Sequence, residues 1–338
     1  KYLSAGDIVA PTSSETVGRF YPYEYVLNSA TSTNACEAGG LSFSYMSDPT
    51  IGLDYQLQAN NLGGIIVTNY DQPLGYSGTA SVEYVYENNG ECLSSSGSCS
   101  YNRLIAGVEP WKAGQVEVSL TNVSFLRDSA PEAPLMNLQL ALNVNDSLDG
   151  RSLTGKNVNP EASGNCAADD SCSAVALGEP LNLLYGRLFL GSAYGPEILD
   201  LPVKFVTEYY TGASWQRNDD DSCTRIALSD VTYPSGSIEV DANRNVTLGA
   251  GATRGEYADG GIEAGELTFA EGQREHYFSA PGGGNTGTFE VNIAMTPYPW
   301  LDFDWNNDGS DDGAITGEYQ FGSYRGHDRI IYWREVLE

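Results

Sequence analysis

Between Asp302 and Gly313 the chain reads Asp302-Phe-Asp-Trp-Asn-Asn-Asp-Gly-Ser-Asp-Asp-Gly. Counted from Asp304, its oxygen-bearing residues fall on alternate positions: Asp304, Asn306 and Asp308, then a backbone carbonyl at Ser310, then Asp312. Gly309 holds the sixth position, where a tight cation-binding loop must turn back on itself. Ca²⁺ takes about six to eight hard oxygens at roughly 2.3–2.6 Å, and carboxylates crowded this closely need a cation to relieve their repulsion. The spacing therefore leads us to expect a structural Ca²⁺ site. Ile315 stands at the twelfth place, where a helix-loop-helix site carries Glu, so an EF-hand is not supported. Glu318 or Asp302 is left to supply the missing ligand. The competing reading is an ordinary acidic turn, since 45 Asp and Glu make such clusters common. Asp219-Asp-Asp, Asp169-Asp170 and Asn145-Asp146 with Asp149 lack the alternation with glycine and read as solvated loops.

Nucleophilic catalysis finds little to work with. His276 and His327 are the two histidines, and no G-x-S-x-G elbow occurs. Paired carboxylates of the glycosidase kind carry no information in so acidic a chain. A non-enzymatic protein is expected. Trp300, Trp305 and Trp333 gather around the acidic loop, and Trp305 is a candidate for stacking on a sugar ring. Core packing is the favoured role for the group, because Ile330-Ile331-Tyr332-Trp333 is apolar at both parities, as in a strand buried on both faces.

Six cysteines bear on the compartment. Cys92 and Cys99 lie in Ser/Gly-rich sequence, and Cys166 and Cys172 among Gly, Ala and Asp. Fifteen pairings are open to six cysteines. Proximity favours 92–99 and 166–172 as loop staples and leaves Cys36 with Cys223. Zinc fits poorly, as the spacings are not C-x-x-C and histidine is scarce. Oxidised cysteines imply an extracytoplasmic protein. The charge, 17 − 45 = −28, excludes nucleic acid or an anionic membrane as partner through a bulk basic surface. No apolar run approaches the roughly 18–20 residues of a membrane helix, so direct membrane insertion is not expected. The chain opens at Lys1 without a charged-then-apolar leader, as a processed product would.

These side chains must be held by strands. Short runs rich in Tyr, Val and Ile, such as Val17–Leu27, Leu53–Ala59, Gly64–Tyr70, Ser81–Tyr86, Gln115–Phe125 and Leu135–Val144, are separated by Gly, Asn, Asp and Ser. In Gln115–Thr121 apolar residues at 116, 118 and 120 alternate with polar ones, one face for a core and one for water. The polar stretch Asp146–Pro180 reads as a long connection. A second series follows: Leu181–Gly191, Pro202–Tyr210, Arg225–Val231, Ser237–Val240, Gly265–Phe269, Thr286–Ala294 and Phe321–Trp333. The expectation is an all-β chain of two consecutive Ig-like β-sandwich domains with long loops. An irregular lead-in spans 1–14, the first sandwich 15–180, and the second, with the acidic loop, 181–338. That loop would set the angle at which Phe321–Trp333 leaves it.

Seven segments, in order, resemble the C-terminal region of MshQ-like proteins. They are Val17-Gly-Arg-Phe-Tyr-Pro, Leu41-Ser-Phe-Ser-Tyr-Met, Tyr185-Gly-Arg-Leu, Ala193-Tyr-Gly-Pro-Glu and Asp220-Asp-Ser-Cys-Thr, then Trp300-Leu-Asp-Phe-Asp-Trp-Asn-Asn-Asp-Gly and Phe321-Gly-Ser-Tyr-Arg-Gly-His-Asp-Arg-Ile-Ile-Tyr-Trp-Arg-Glu. The resemblance runs from about 17 to 335. His327 stands where many members carry Asn, and Tyr23-Glu24 also departs from the pattern. The resemblance implies an all-β module of an exported bacterial protein associated with the mannose-sensitive haemagglutinin, a type IV pilus. No catalytic residues carry over. Adhesion or structural presentation at the pilus tip, with other pilus or surface proteins or surface glycans as partners, is the function it suggests. A calcium-dependent carbohydrate-binding module is the alternative.

Overall fold

Gln115–Phe125 shows how the chain builds its sheets. Val116 and Val118 are buried while Glu117 and Ser119 face water, the period-two burial of a strand with one wet face. It pairs antiparallel with Ile51–Asn60, bringing Leu53, Tyr55 and Leu57 opposite Leu120, Val118 and Val116. Glu24–Thr33 lies on the other side of Ile51–Asn60, with a bulge between Leu27 and Ser29, and Leu104–Ile105 closes the four-stranded sheet. The structure is a computed structural model and describes residues 21–38, 40–72, 80–87, 103–147, 149–162, 166–233, 244–257, 265–322 and 331–332.

Across the core runs Leu135–Asp146, flanked by Leu181–Leu184 and Ser81–Glu87. Ser44–Tyr45 extends this sheet in parallel with Leu181–Leu184, and Arg151–Ser152 and Val175–Ala176 pair with Leu135–Asp146. Leu138, Leu140, Leu142 and Val144 meet Leu53, Leu57 and Val116 in one core, closed at one end by Tyr25, Tyr70 and Trp111.

The second pair of sheets repeats the layering. Leu201–Tyr210 pairs with Gly186–Leu190 and Gln273–Phe278, with Gly255–Tyr257 and Trp215–Arg217 completing the layer. Opposite lie Val231–Thr232, Gly287–Ala294, Ala314–Phe321, Ala193–Gly195 and Ile331–Tyr332, in that order. Val203, Phe205 and Phe278 pack against Phe289, Val291, Ile293 and Tyr319. The two-stranded ladders Arg225–Ala227 with Glu266–Thr268 and Val246–Leu248 with Gly251–Thr253 complete the strands. Among the described residues the only helix is the single 3-10 turn Leu228–Asp230, and none is long and apolar enough to cross a membrane.

The all-β sandwich architecture expected from the pattern is the one observed, but several elements differ. Gly64–Tyr70 is a series of turns, because Asn61 and Asn60 draw the backbone back on itself. The stretch 146–180 is more than a connection: it supplies two strands to the first pair of sheets, and Leu181–Leu184 joins the same sheet. Sheet membership changes between Leu184 and Gly186. The strand after the acidic loop is Ala314–Phe321, which ends where the sequence suggested a strand would begin. Gly322, at φ 106°, turns the chain there, and a Cβ on it would sit 2.2 Å from Thr286 Cγ2. Cys92, Cys99, His327, Trp333 and the expected strand Ser237–Val240 lie outside the described residues.

Candidate functional site

The acidic loop belongs to a long hairpin. Gly287–Ala294 and Ala314–Phe321 pair along their whole length, ending at Ala294 opposite Ala314, so residues 295–313 must leave and return at one point. Met295 N–H closes the base on Gly313 O (2.8 Å), and Leu188 N–H ties Leu301 O (2.8 Å) to the neighbouring strand. Asp302 then accepts from Phe303 N–H (2.9 Å) and Gly313 N–H (3.0 Å), cinching both ends of the acidic run. Burial pushes the Asp302 carboxyl above its ordinary range, and the charge of Asp311 adds to that.

Beyond Asp302 the sequence-nominated oxygens turn inward on the loop's own backbone. Asp304 accepts from Asp308 N–H (3.0 Å) and Gly309 N–H (2.8 Å), and Asn306 Oδ1 accepts from Asp308 N–H (2.8 Å). Asp308 accepts from Ser310 N–H (3.0 Å) and its hydroxyl (2.7 Å), which hold its carboxyl below the usual range. Asp312 receives Asn306 Nδ2 (2.8 Å) and Trp305 N–H (3.2 Å). Asn307 (φ 57°) and Gly309 (φ 94°) take the left-handed conformation that reverses the chain. The loop thus brings Asp304, Asn306, Asp308, Ser310 and Asp312 into one turn. Among the described residues no three His, Cys, Asp or Glu converge as a metal-binding group. The donor types suit Ca²⁺, since a carboxylate accepting one or two N–H bonds keeps further lone pairs. Those five are the residues that would hold it.

Trp305 is partly buried, with Phe303 and Phe189 against its ring at centroid distances of 5.2 and 6.0 Å. The Arg187 guanidinium lies over its indole at 4.5 Å, over Trp215 at 4.0 Å and over Phe303 at 5.2 Å. Arg187 is buried and ion-paired to Glu208, directly across the strands (Nη2 to Oε2, 2.7 Å). Trp215 and Phe303 pack on the first core and Trp305 on the second. The stack joins the two sandwiches, and packing is the use the structure makes of Trp305. Arg127, from the first sandwich, reaches the same place: it donates to Asp302 O (2.8 Å), pairs with Asp311 and lies over the Tyr185 ring at 5.0 Å.

A second link fastens the junction. Cys36 and Cys223 form a disulfide, Cα to Cα 5.6 Å, across 187 residues of sequence. Beside it Asp221, fully buried, accepts from Tyr45 Oη (3.0 Å), Thr224 Oγ1 (2.6 Å), Thr224 N–H (2.9 Å) and Cys223 N–H (3.1 Å). Asn218 Nδ2 adds a bond to Tyr45 Oη (2.9 Å), and Asp220 accepts from Leu41 N–H (2.9 Å). Within the Asp219-Asp-Asp run Asp219 is exposed, as a solvated loop would have it, but Asp221 is buried. Asp146 is likewise buried, receiving Tyr25 Oη at 3.1 Å. Cys166 and Cys172 are bonded as the spacing suggested, and Cys166 is buried. Asp169 is on the surface, held below the usual carboxylate range by its bonds from Ser171. His276 lies inside the second core, stacked on Phe205 with centroids 5.0 Å apart. Sequence reading missed Arg127, Arg187 and Asp221. Only the Tyr185-Gly-Arg and Asp-Ser-Cys runs around two of them stood out.

Residues 1–173 match the third domain of DUF6701 and residues 184–336 its fourth domain. No curated protein matches the chain. Among solved structures, the Yersinia pseudotuberculosis adhesin InvE aligns with 88% of this chain and 58% of its own length, at 11% identity and a TM-score of 0.27.

Proposed function

Since the chain belongs to the DUF6701 family, as its third and fourth domains in succession, we propose that it is a non-catalytic module of an exported bacterial surface protein. It holds two sandwiches in one fixed orientation, so that a binding surface is presented without hinge motion. The observation that carries this reading is the junction, where a disulfide, a buried carboxylate hub and an arginine–aromatic stack all link the same two bodies. Disulfides support an oxidising, extracytoplasmic location. Its resemblance to MshQ-like proteins supports association with a type IV pilus, with adhesion or structural presentation as the role and surface proteins or surface glycans as partners. Ca²⁺ held by Asp304, Asn306, Asp308, Ser310 and Asp312 would neutralise the loop beside Arg127 and stiffen the hairpin that carries it.

Protease treatment of intact cells tests the location: the chain should be removed with the surface proteins, and protection until the envelope is broken would overturn the reading. A glycan array with the wild type and Trp305→Ala addresses the carbohydrate alternative. Glycan binding lost in the variant would favour that alternative, whereas binding that is absent or unchanged would sink it.

A further inference from the structure

One end of the first sandwich combines an uncharged segment with exposed aliphatic and aromatic side chains. Between Asp54 and Asp71 no residue carries a charge, in a chain where 18% of residues do. Within that window the turn after Ile51–Asn60 points Leu62 and Ile65 outward, 77% and 66% exposed. The turn is not loose. Asn61 Oδ1 accepts from Gly63 N–H (2.8 Å) and Ile65 N–H (3.0 Å), and Asn61 N–H donates to Ile65 O (2.9 Å). Gly64, at φ 73°, donates to Asn61 O (2.9 Å). The turn holds two large aliphatic side chains in water at a fixed place.

Glu24–Thr33 begins at the same end, where Tyr23 N–H donates to Asn60 O (2.8 Å). Tyr21 and Tyr23 are 45% and 47% exposed, and the Arg151 guanidinium lies over both rings at 5.0 and 5.7 Å. This is the construction that seals the junction between the two sandwiches, where Arg127 covers Tyr185 and Arg187 covers Trp215. There the aromatic and arginine groups are largely covered, and here the tyrosines are half open.

We infer that the face formed by Tyr21, Tyr23, Leu62, Ile65 and Arg151 docks the domain that precedes the third in the DUF6701 order. The inference rests on family membership and not on the function proposed above. Five side chains are too few for a stable intermolecular interface, which takes about 800 Å² from each partner. A domain tethered on the same chain needs far less, because its effective concentration is on the order of millimolar. Association with anionic lipid or with a second copy is opposed by the −28 net charge.

Hydrogen–deuterium exchange tests this on the present chain and on a longer one that includes the preceding domain. Amides 61–66 should exchange about tenfold more slowly in the longer chain. Leu62→Asp with Ile65→Asp, both at exposed positions, should restore the rate of the shorter chain while leaving its melting midpoint unchanged. Equal rates in the two chains would overturn the inference. So would slowing in the shorter chain that grows with concentration, which marks self-association, or slowing seen only with phosphatidylglycerol vesicles.

Discussion

Asp221 is a carboxylate placed where no water reaches it, and four donors plus a neighbouring disulfide hold it there. Asp221→Ala would strand those donors, two of them backbone, and should cost about 3 kcal/mol or more, since each buried unpaired group costs roughly 1–3 kcal/mol. Tyr45→Phe removes one hydroxyl and should cost about 1 kcal/mol. Urea titration of both variants checks the ranking, and an Asp221→Ala effect smaller than that of Tyr45→Phe would dissolve the hub. Nothing local in Asp219-Asp-Asp marks the third aspartate for burial, because its partner Tyr45 comes from 176 residues away. Two other acids set a pH dependence. Burial raises Asp48 and Asp302 above the ordinary value of 3.8. Between 3.8 and their raised values the folded chain binds more protons than the unfolded one, so stability falls as pH climbs through that window. Self-repulsion at −28 works in the same direction. Asp308, lowered by Ser310, opposes it only below 3.8. Melting midpoints should therefore rise as the pH is lowered from neutrality toward 3.8. A fall over that range would contradict the assignment.

The hairpin around residues 295–313 is the element on which the calcium proposal stands. Ca²⁺ at about a hundred times its dissociation constant should stabilise the folded chain by about 2.7 kcal/mol. Asp304→Asn with Asp308→Asn should abolish that gain while leaving the midpoint in chelator close to that of the wild type. Identical wild-type midpoints with Ca²⁺ and with chelator would remove the ion from the loop. The chain reversal in this loop was legible in the sequence because it is local: Gly309 takes the left-handed turn expected of it, with Asn307 beside it. The following strand was not. Ala314–Phe321 buries alternate residues, but Gly317 replaces one apolar side chain, since a Cβ there would sit 2.5 Å from Tyr319 Oη. Gly64–Tyr70 misled in the opposite way. Ile65-Ile66-Val67 has strand composition, yet the Asn61 side chain holds the backbone in a turn. Gln115–Phe125, which alternates as far as Leu120 before its register shifts, was read at its true limits.

At the scale of the molecule the all-β layering followed from regularly spaced apolar runs. The relation between the two sandwiches did not, because it depends on side chains far apart in sequence. Arg127 meets Asp302 across 175 residues, and Trp215 on the second sandwich packs against the first core. Of the long-range ties only Cys36–Cys223 could be reached from sequence, through proximity of the other cysteine pairs. A bridge closing so long a loop should contribute about 5 kcal/mol in the chain-entropy description. Rigid coupling of the two sandwiches is the central claim, and differential scanning calorimetry of the intact, oxidised chain tests it most directly. A single cooperative transition is expected, splitting into two when Cys36→Ser and Cys223→Ser are combined with Arg127→Ala. Two resolved transitions in the intact chain would mean that the sandwiches unfold independently and that the junction does not bind them into one body.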